Sequence, residues 1–153
     1  MSADLMELGR RAVACEGWRW MPGMLAAGPP GPRGGLKTAR VEGVLDGGDG
    51  PPRCVDFHGR RVPAHYVCQC DEDQVVPDFR DPATLGCLLA LVREAWPGCH
   101  AEPNGAATWD GVDEAERGSW WAVYACVSHR RIAAGATEAE ALVAALEAAG
   151  GVT

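Results

Sequence analysis

Residues 120–127, Trp-Trp-Ala-Val-Tyr-Ala-Cys-Val, form the segment that most restricts what this chain can become. In an extended backbone, Trp121, Val123, Ala125 and Val127 face one way, and Trp120, Ala122, Tyr124 and Cys126 face the other. Both faces are apolar, so the segment predicts a strand covered on both sides and not a one-sided edge. The fold must therefore supply layers to cover it, and the rest of the chain offers them.

Three segments carry helical spacing. Residues 3–16 repeat Leu5, Leu8, Ala12 and Cys15, with Gly17 as a stop. Residues 82–96 begin after Asp81, a good N-cap, with Pro82 in the first helical position. Their stripe of Leu85, Leu88, Leu89, Val92 and Trp96 is expected to pack on the strand at 120–127. The last helix opens with a capping box, Thr137-x-x-Glu140, and runs to Gly150. Strands are expected over 36–45, 53–57, 62–67 (weakened by Pro63) and 99–102, with an extended stretch over 17–25. Residues 130–135 are expected to turn or pair back on the strand before them. Clustered strands with segregated helices predict an α+β fold, an antiparallel sheet packed by helices in an α-β-α sandwich-like arrangement. Length suits one domain over 1–153, with flexible loops near 26–35, 46–52 and 103–117.

Composition excludes several classes. Apolar residues make up 47% of the chain, which argues against global disorder. The densest apolar run, Leu85 to Val92, is too short to span a membrane. The first residues lack a basic stretch followed by an apolar one, so no signal peptide is expected and the expected location is cytoplasmic. The formal charge of −7 repels phosphate backbones and disfavours general nucleic-acid binding. The seven cysteines are odd in number, which points to reduced thiols rather than a disulfide framework.

Two constellations could carry chemistry. Cys54, His58, His65, Cys68 and Cys70 are the tightest group of metal-ligand types, but they contain no CxxC pair and match zinc spacings loosely. The expectation is incidental thiols and imidazoles, with no metal and no cofactor. The second constellation is Trp18-Arg19-Trp20 together with His129, Arg130 and Arg131, which follow the apolar strand directly. Indoles stack on bases, and guanidinium groups grip phosphate. That combination points to a small nucleotide-type ligand, against the plainer reading of tryptophans as core. No P-loop, HExxH, GxSxG or strand-anchored GxGxxG is present. A Cys/His nucleophile pair stays open, because such partners meet in space and not in sequence. The expectation leans away from an enzyme.

Three blocks carry a resemblance: Glu7 to Val13 with Gly17-Trp18-Arg19-Trp20-Met21-Pro22-Gly23-Met24, Pro77 to Trp96, and Thr137 to Ala149. Together they resemble small uncharacterised accessory proteins of tailed bacteriophages and prophages. Residues 26–75 carry none of this likeness. The resemblance indicates a lineage and not an activity, and no functional residue is carried over from it. It implies a sandwich-like accessory protein in the host cytoplasm. By analogy of context, such proteins include non-enzymatic sponges for cyclic-nucleotide or ADP-ribose immune signals, commonly built at oligomer interfaces. A protein–protein inhibitor of a host factor and a signal-degrading enzyme are the alternatives.

Overall fold

The computed structural model describes residues 3–29, 37–44, 52–56, 58–103, 120–126, 128 and 130–150. The elements run α1 (Ala3–Val13), β1 (Leu25–Ala27), β2 (Thr38–Val44), β3 (Pro52–Val55), β4 (Arg61–Pro63), α2 (Ala64–Cys68), β5 (Val76–Pro77), α3 (Pro82–Ala95), β6 (His100–Pro103), β7 (Trp121–Tyr124), β8 (Arg131–Gly135) and α4 (Glu138–Gly150). The fold is α+β with antiparallel sheets, and among the described residues the strands form two sheets where one was expected. The chain divides into two compact units, residues 1–14 with 18–87 and residues 15–17 with 88–153. The boundary falls inside α3. Among the described residues, no helix is long and apolar enough to cross a membrane.

The first unit holds a five-stranded sheet in the order β4-β3-β2-β1-β5. Its core gathers Met24, Ala26, Ala27, Val41, Cys54, Cys68, Val76 and Phe79, all buried. Helix α1 approaches β5 so closely that a Cβ on Gly9 would stand 2.7 Å from the Val76 Cβ. Residues 26 and 27, expected in a loop, instead extend β1, because Ala26 and Ala27 pair with Ala39 and Thr38 on one side and Pro77 and Val76 on the other. The strand expected over 62–67 stops at Pro63, which lacks the N–H a ladder needs and serves as the N-cap of α2. Gln69 closes that helix in the left-handed region, with φ 52°.

Asp81 caps α3 as the sequence indicates: its Oδ2 accepts from the Thr84 backbone N–H at 2.9 Å and from the Thr84 hydroxyl at 2.8 Å. The same carboxylate binds Arg40 through two bonds, at 2.7 and 2.9 Å. Thr84, fully buried, accepts the Leu25 N–H at 2.7 Å and so ties the cap to β1.

The second unit holds the three-stranded sheet β6-β7-β8, with α4 packed across it. The helix lying on the apolar strand is thus α4. The end of α3 is joined to α4 instead, where the Trp96 indole N–H donates to the Ala145 carbonyl at 2.9 Å. Along α3 the buried aliphatic residues are Leu88, Leu91 and Val92, while Leu85 and Leu89 are half-buried. The Thr137–Glu140 capping box forms in both directions, at 3.1 and 3.2 Å. At Gly135 a Cβ would meet the Glu140 Cβ at 2.5 Å, so a residue without a side chain lets α4 sit against β8. The stretches 30–36, 45–51 and 104–119, which contain most of the expected loops, lie outside the described residues.

Candidate functional site

The sheet of the second unit presents Trp121 and Val123 toward one side and Trp120, Ala122 and Tyr124 toward the other. Gly135, paired with Trp121, abuts α4, which assigns the Trp121 side to the helix. A regular ladder would put Arg131 opposite Ala125, on that helix side. The pairing is not regular. Ala133 pairs with Val123, but Arg131 pairs with Tyr124, leaving Ile132 as the extra residue of a β-bulge. Directly opposed residues share a face, so the bulge transfers Arg131 to the face of Trp120, Ala122 and Tyr124. The guanidinium carbon lies 5.3 Å from the centre of the Trp120 ring, within cation–π range. Trp120, Arg131, Ala133, Ala134 and Gly135 border an open hollow of about 520 Å³. Ala134, paired with Ala122 on this face, is small enough to leave the room, and the indole–guanidinium pair forms its wall.

Further along the same face, the Tyr124 ring stacks with His100 of β6, with centroids 5.9 Å apart and planes at 26°. His100 and Tyr124 are directly paired in the ladder. The His100 Nε2 lies 3.9 Å from a Glu102 carboxylate oxygen, and both side chains are well exposed.

The structure distributes the residues singled out from sequence unevenly. Arg131 lines the hollow, and Arg130 is exposed beside it. His129 lies outside the described residues. Trp18, Arg19 and Trp20 belong to the first unit. Trp20 is buried there and meets Trp18 edge to face, at 5.7 Å and 81°, while Arg19 is half-buried. The Trp18 indole N–H is buried with no hydrogen-bond partner. This pair has the geometry of core packing.

Among the five metal-ligand types, Cys54 and Cys68 are buried, Cys70 is half-buried and His58 is exposed. His65 tilts against Tyr66 with centroids 4.7 Å apart, and its Nδ1 is buried and unpartnered. Among the described residues, no three Cys, His, Asp or Glu side chains gather closely enough to hold an ion. His65, Tyr66, Gln69, Cys70, Asp71 and Gln74 border a second open hollow, of about 570 Å³. Burial pushes the Cys70 thiol up, and Asp71 and Asp73 reinforce the shift. Burial also pushes Cys54 up to about 11, with Glu42 adding to it, and Cys68 up to about 12, with Cys70 and Cys54 adding to it. These environments hold the thiols protonated, the opposite of what activates a nucleophilic cysteine.

Trp120, Tyr124 and His100 are not among the residues singled out from sequence, and the structure brings them onto the face that carries Arg131. The alternation did place Trp120 and Tyr124 on one face, but nothing in it marks which face carries a cation. Comparison of the chain with known protein families, with curated proteins and with solved structures finds no match.

Proposed function

We propose that this chain is a non-enzymatic binding protein that captures a small nucleotide-type ligand on the open face of its second sheet. The observation that carries this reading is the Arg131 guanidinium over the Trp120 indole, beside a hollow of about 520 Å³. A guanidinium offers two recognition elements. Its plane stacks with bases, and its N–H edges bind phosphate in a fork. An indole behind that plane holds it in place.

Together with the resemblance to phage accessory proteins, this supports a sponge. In the cytoplasm of a host cell, the protein would sequester a cyclic oligonucleotide or ADP-ribose-type immune signal and so blunt anti-phage defence. The proposed site is the Trp120–Arg131 pair, and not the packed Trp18–Trp20 pair. Burial raises the pKa values of Cys54, Cys68 and Cys70 and keeps these thiols protonated, which fits capture rather than thiol chemistry at these three residues. Self-association, most simply as a two-fold dimer, belongs to the same proposal.

The test is calorimetry with a panel of cyclic dinucleotides, cyclic trinucleotides and cyclic ADP-ribose isomers. At least one should bind, Trp120→Ala should weaken it by roughly 1–3 kcal/mol, and the recovered ligand should keep its mass. Altered ligand mass would make the protein an enzyme. Silence across the panel, together with ligand-independent capture of one host protein, would make it an inhibitor. Light scattering that shows only a 16.2 kDa species would remove the oligomer from the proposal.

A further inference from the structure

We infer that the ligand of this face carries two bases joined through phosphate, one held at Trp120–Arg131 and the other at Tyr124–His100; the inference rests on the binding reading above. The sheet itself sets the spacing. Trp120 and Tyr124 stand on one face four residues apart, so their backbones are separated by roughly 13 Å along the strand. Each carries a flat partner: the Arg131 guanidinium lies 5.3 Å from the Trp120 ring, and the His100 imidazole stacks on Tyr124 at 5.9 Å.

Arg131 connects these two platforms. Its backbone is level with Tyr124 in the ladder, yet its guanidinium ends over Trp120. The Arg131 side chain therefore spans the strip from the level of Tyr124 and sets its cation at the Trp120 end, where the phosphate of a splayed two-base ligand would be gripped as it leaves the first base. Glu102 stands beside His100, two residues along β6 and level with Ala122. Its carboxylate repels phosphate from that edge and leaves the Arg131 side as the favourable track. A mononucleotide can occupy one platform but not both. A long single strand is disfavoured, because the chain totals −7 and a polyanion meets that field along its whole length.

The experiment compares adenosine monophosphate, the linear dinucleotide pApA, cyclic di-AMP and a six-residue oligoadenylate by calorimetry with the full chain. Adenine suffices as the probe base, because every base offers a π-face to a stacking platform. One of the two dinucleotides should bind at least about tenfold more tightly than the monophosphate, since a lost stack is worth roughly 5- to 150-fold. Tyr124→Leu and Trp120→Leu should each remove one platform and lower dinucleotide affinity to about the monophosphate level, abolishing the dinucleotide preference. Tyr124→Phe should retain the dinucleotide preference. His100→Ala, at an exposed position, should reproduce part of the Tyr124→Leu loss should that variant fold poorly. Equal affinity for monophosphate and dinucleotides would overturn the two-base inference and leave the binding site standing. No binding by any probe would remove the site as well. Tighter binding of the six-residue strand than of either dinucleotide would replace the small ligand with a nucleic acid.

Discussion

Replacing Asp81 should destabilise the first unit through the loss of three interactions. Its Oδ2 caps α3 at the Thr84 N–H, and an N-cap of this kind contributes about 0.5–2 kcal/mol. The same oxygen accepts the hydroxyl of Thr84, which is fully buried and would be left without an acceptor, at a cost of about 1–3 kcal/mol. The third loss is the bidentate pair with Arg40, whose side chain is 47% exposed, so that pair adds no more than about 1 kcal/mol. The first two overlap, since both act through Thr84, and Asp81→Ala should cost about 2–4 kcal/mol. Asp81→Asn keeps an acceptor for the cap and should cost about 1 kcal/mol. The two variants also differ from the parent in acid. The Arg40 hydrogen bonds, more than those from Thr84, hold the Asp81 carboxyl down at about 2 against its usual value. A carboxylate shifted downward contributes its full stability above the unfolded pKa of about 3.9, and that stability fades as pH falls toward 2. Urea titrations followed by circular dichroism at a series of pH values would read both effects. An Asp81→Ala protein within about 0.5 kcal/mol of the parent, or an Asp81→Asn protein with the parent's full acid slope between about pH 5 and 2, would refute the assignment of Asp81 as a shared cap and clamp.

In α3, Leu88→Ala should cost about 2–5 kcal/mol because Leu88 is fully buried, and Leu89→Ala should cost clearly less because Leu89 is half-buried; urea midpoints of the two variants check the order. Trp96→Phe removes the indole bond to the Ala145 carbonyl and should cost about 0.5–1.5 kcal/mol, read by thermal melting. Alkylation near pH 8 should modify exposed Cys126 in the folded protein and reach Cys54 and Cys68 only on unfolding, since burial holds those thiols at about 11 and about 12; mass spectrometry of peptides would show the order.

Elements written in neighbouring residues were legible in the chain. Asp81-Pro82 and Thr137-x-x-Glu140 mark helix starts by chemistry that acts within a few residues, and both caps form. The apolar segment around Trp121–Tyr124 became the middle strand of its sheet for the same local reason. The stripe on α3 was harder. Leu89 lies four residues after Leu85 and Leu91 three after Leu88, so either continues an apolar stripe, and the packing around α3, not the periodicity, chose Leu91 for burial.

By itself the sequence determined the α+β class, the helix caps and the strand around Trp121–Tyr124, since propensity, capping and side-chain alternation are properties of short windows. The cover it predicted on both faces of that strand is found on the α4 face, while the other carries the open hollow. Tertiary structure alone decided that the strands form two sheets, that Trp18 and Trp20 pack on each other, and that Asp81, fit to be a cap, also grips Arg40 from β2. It also decided the candidate site. Whether Arg131 faces α4 or the open side depends on one unpaired residue, Ile132, because side chains alternate with a period of two and a single extra residue reverses the face. That insertion is defined only by the register between β7 and β8, a relation between two segments that neither segment's own sequence contains.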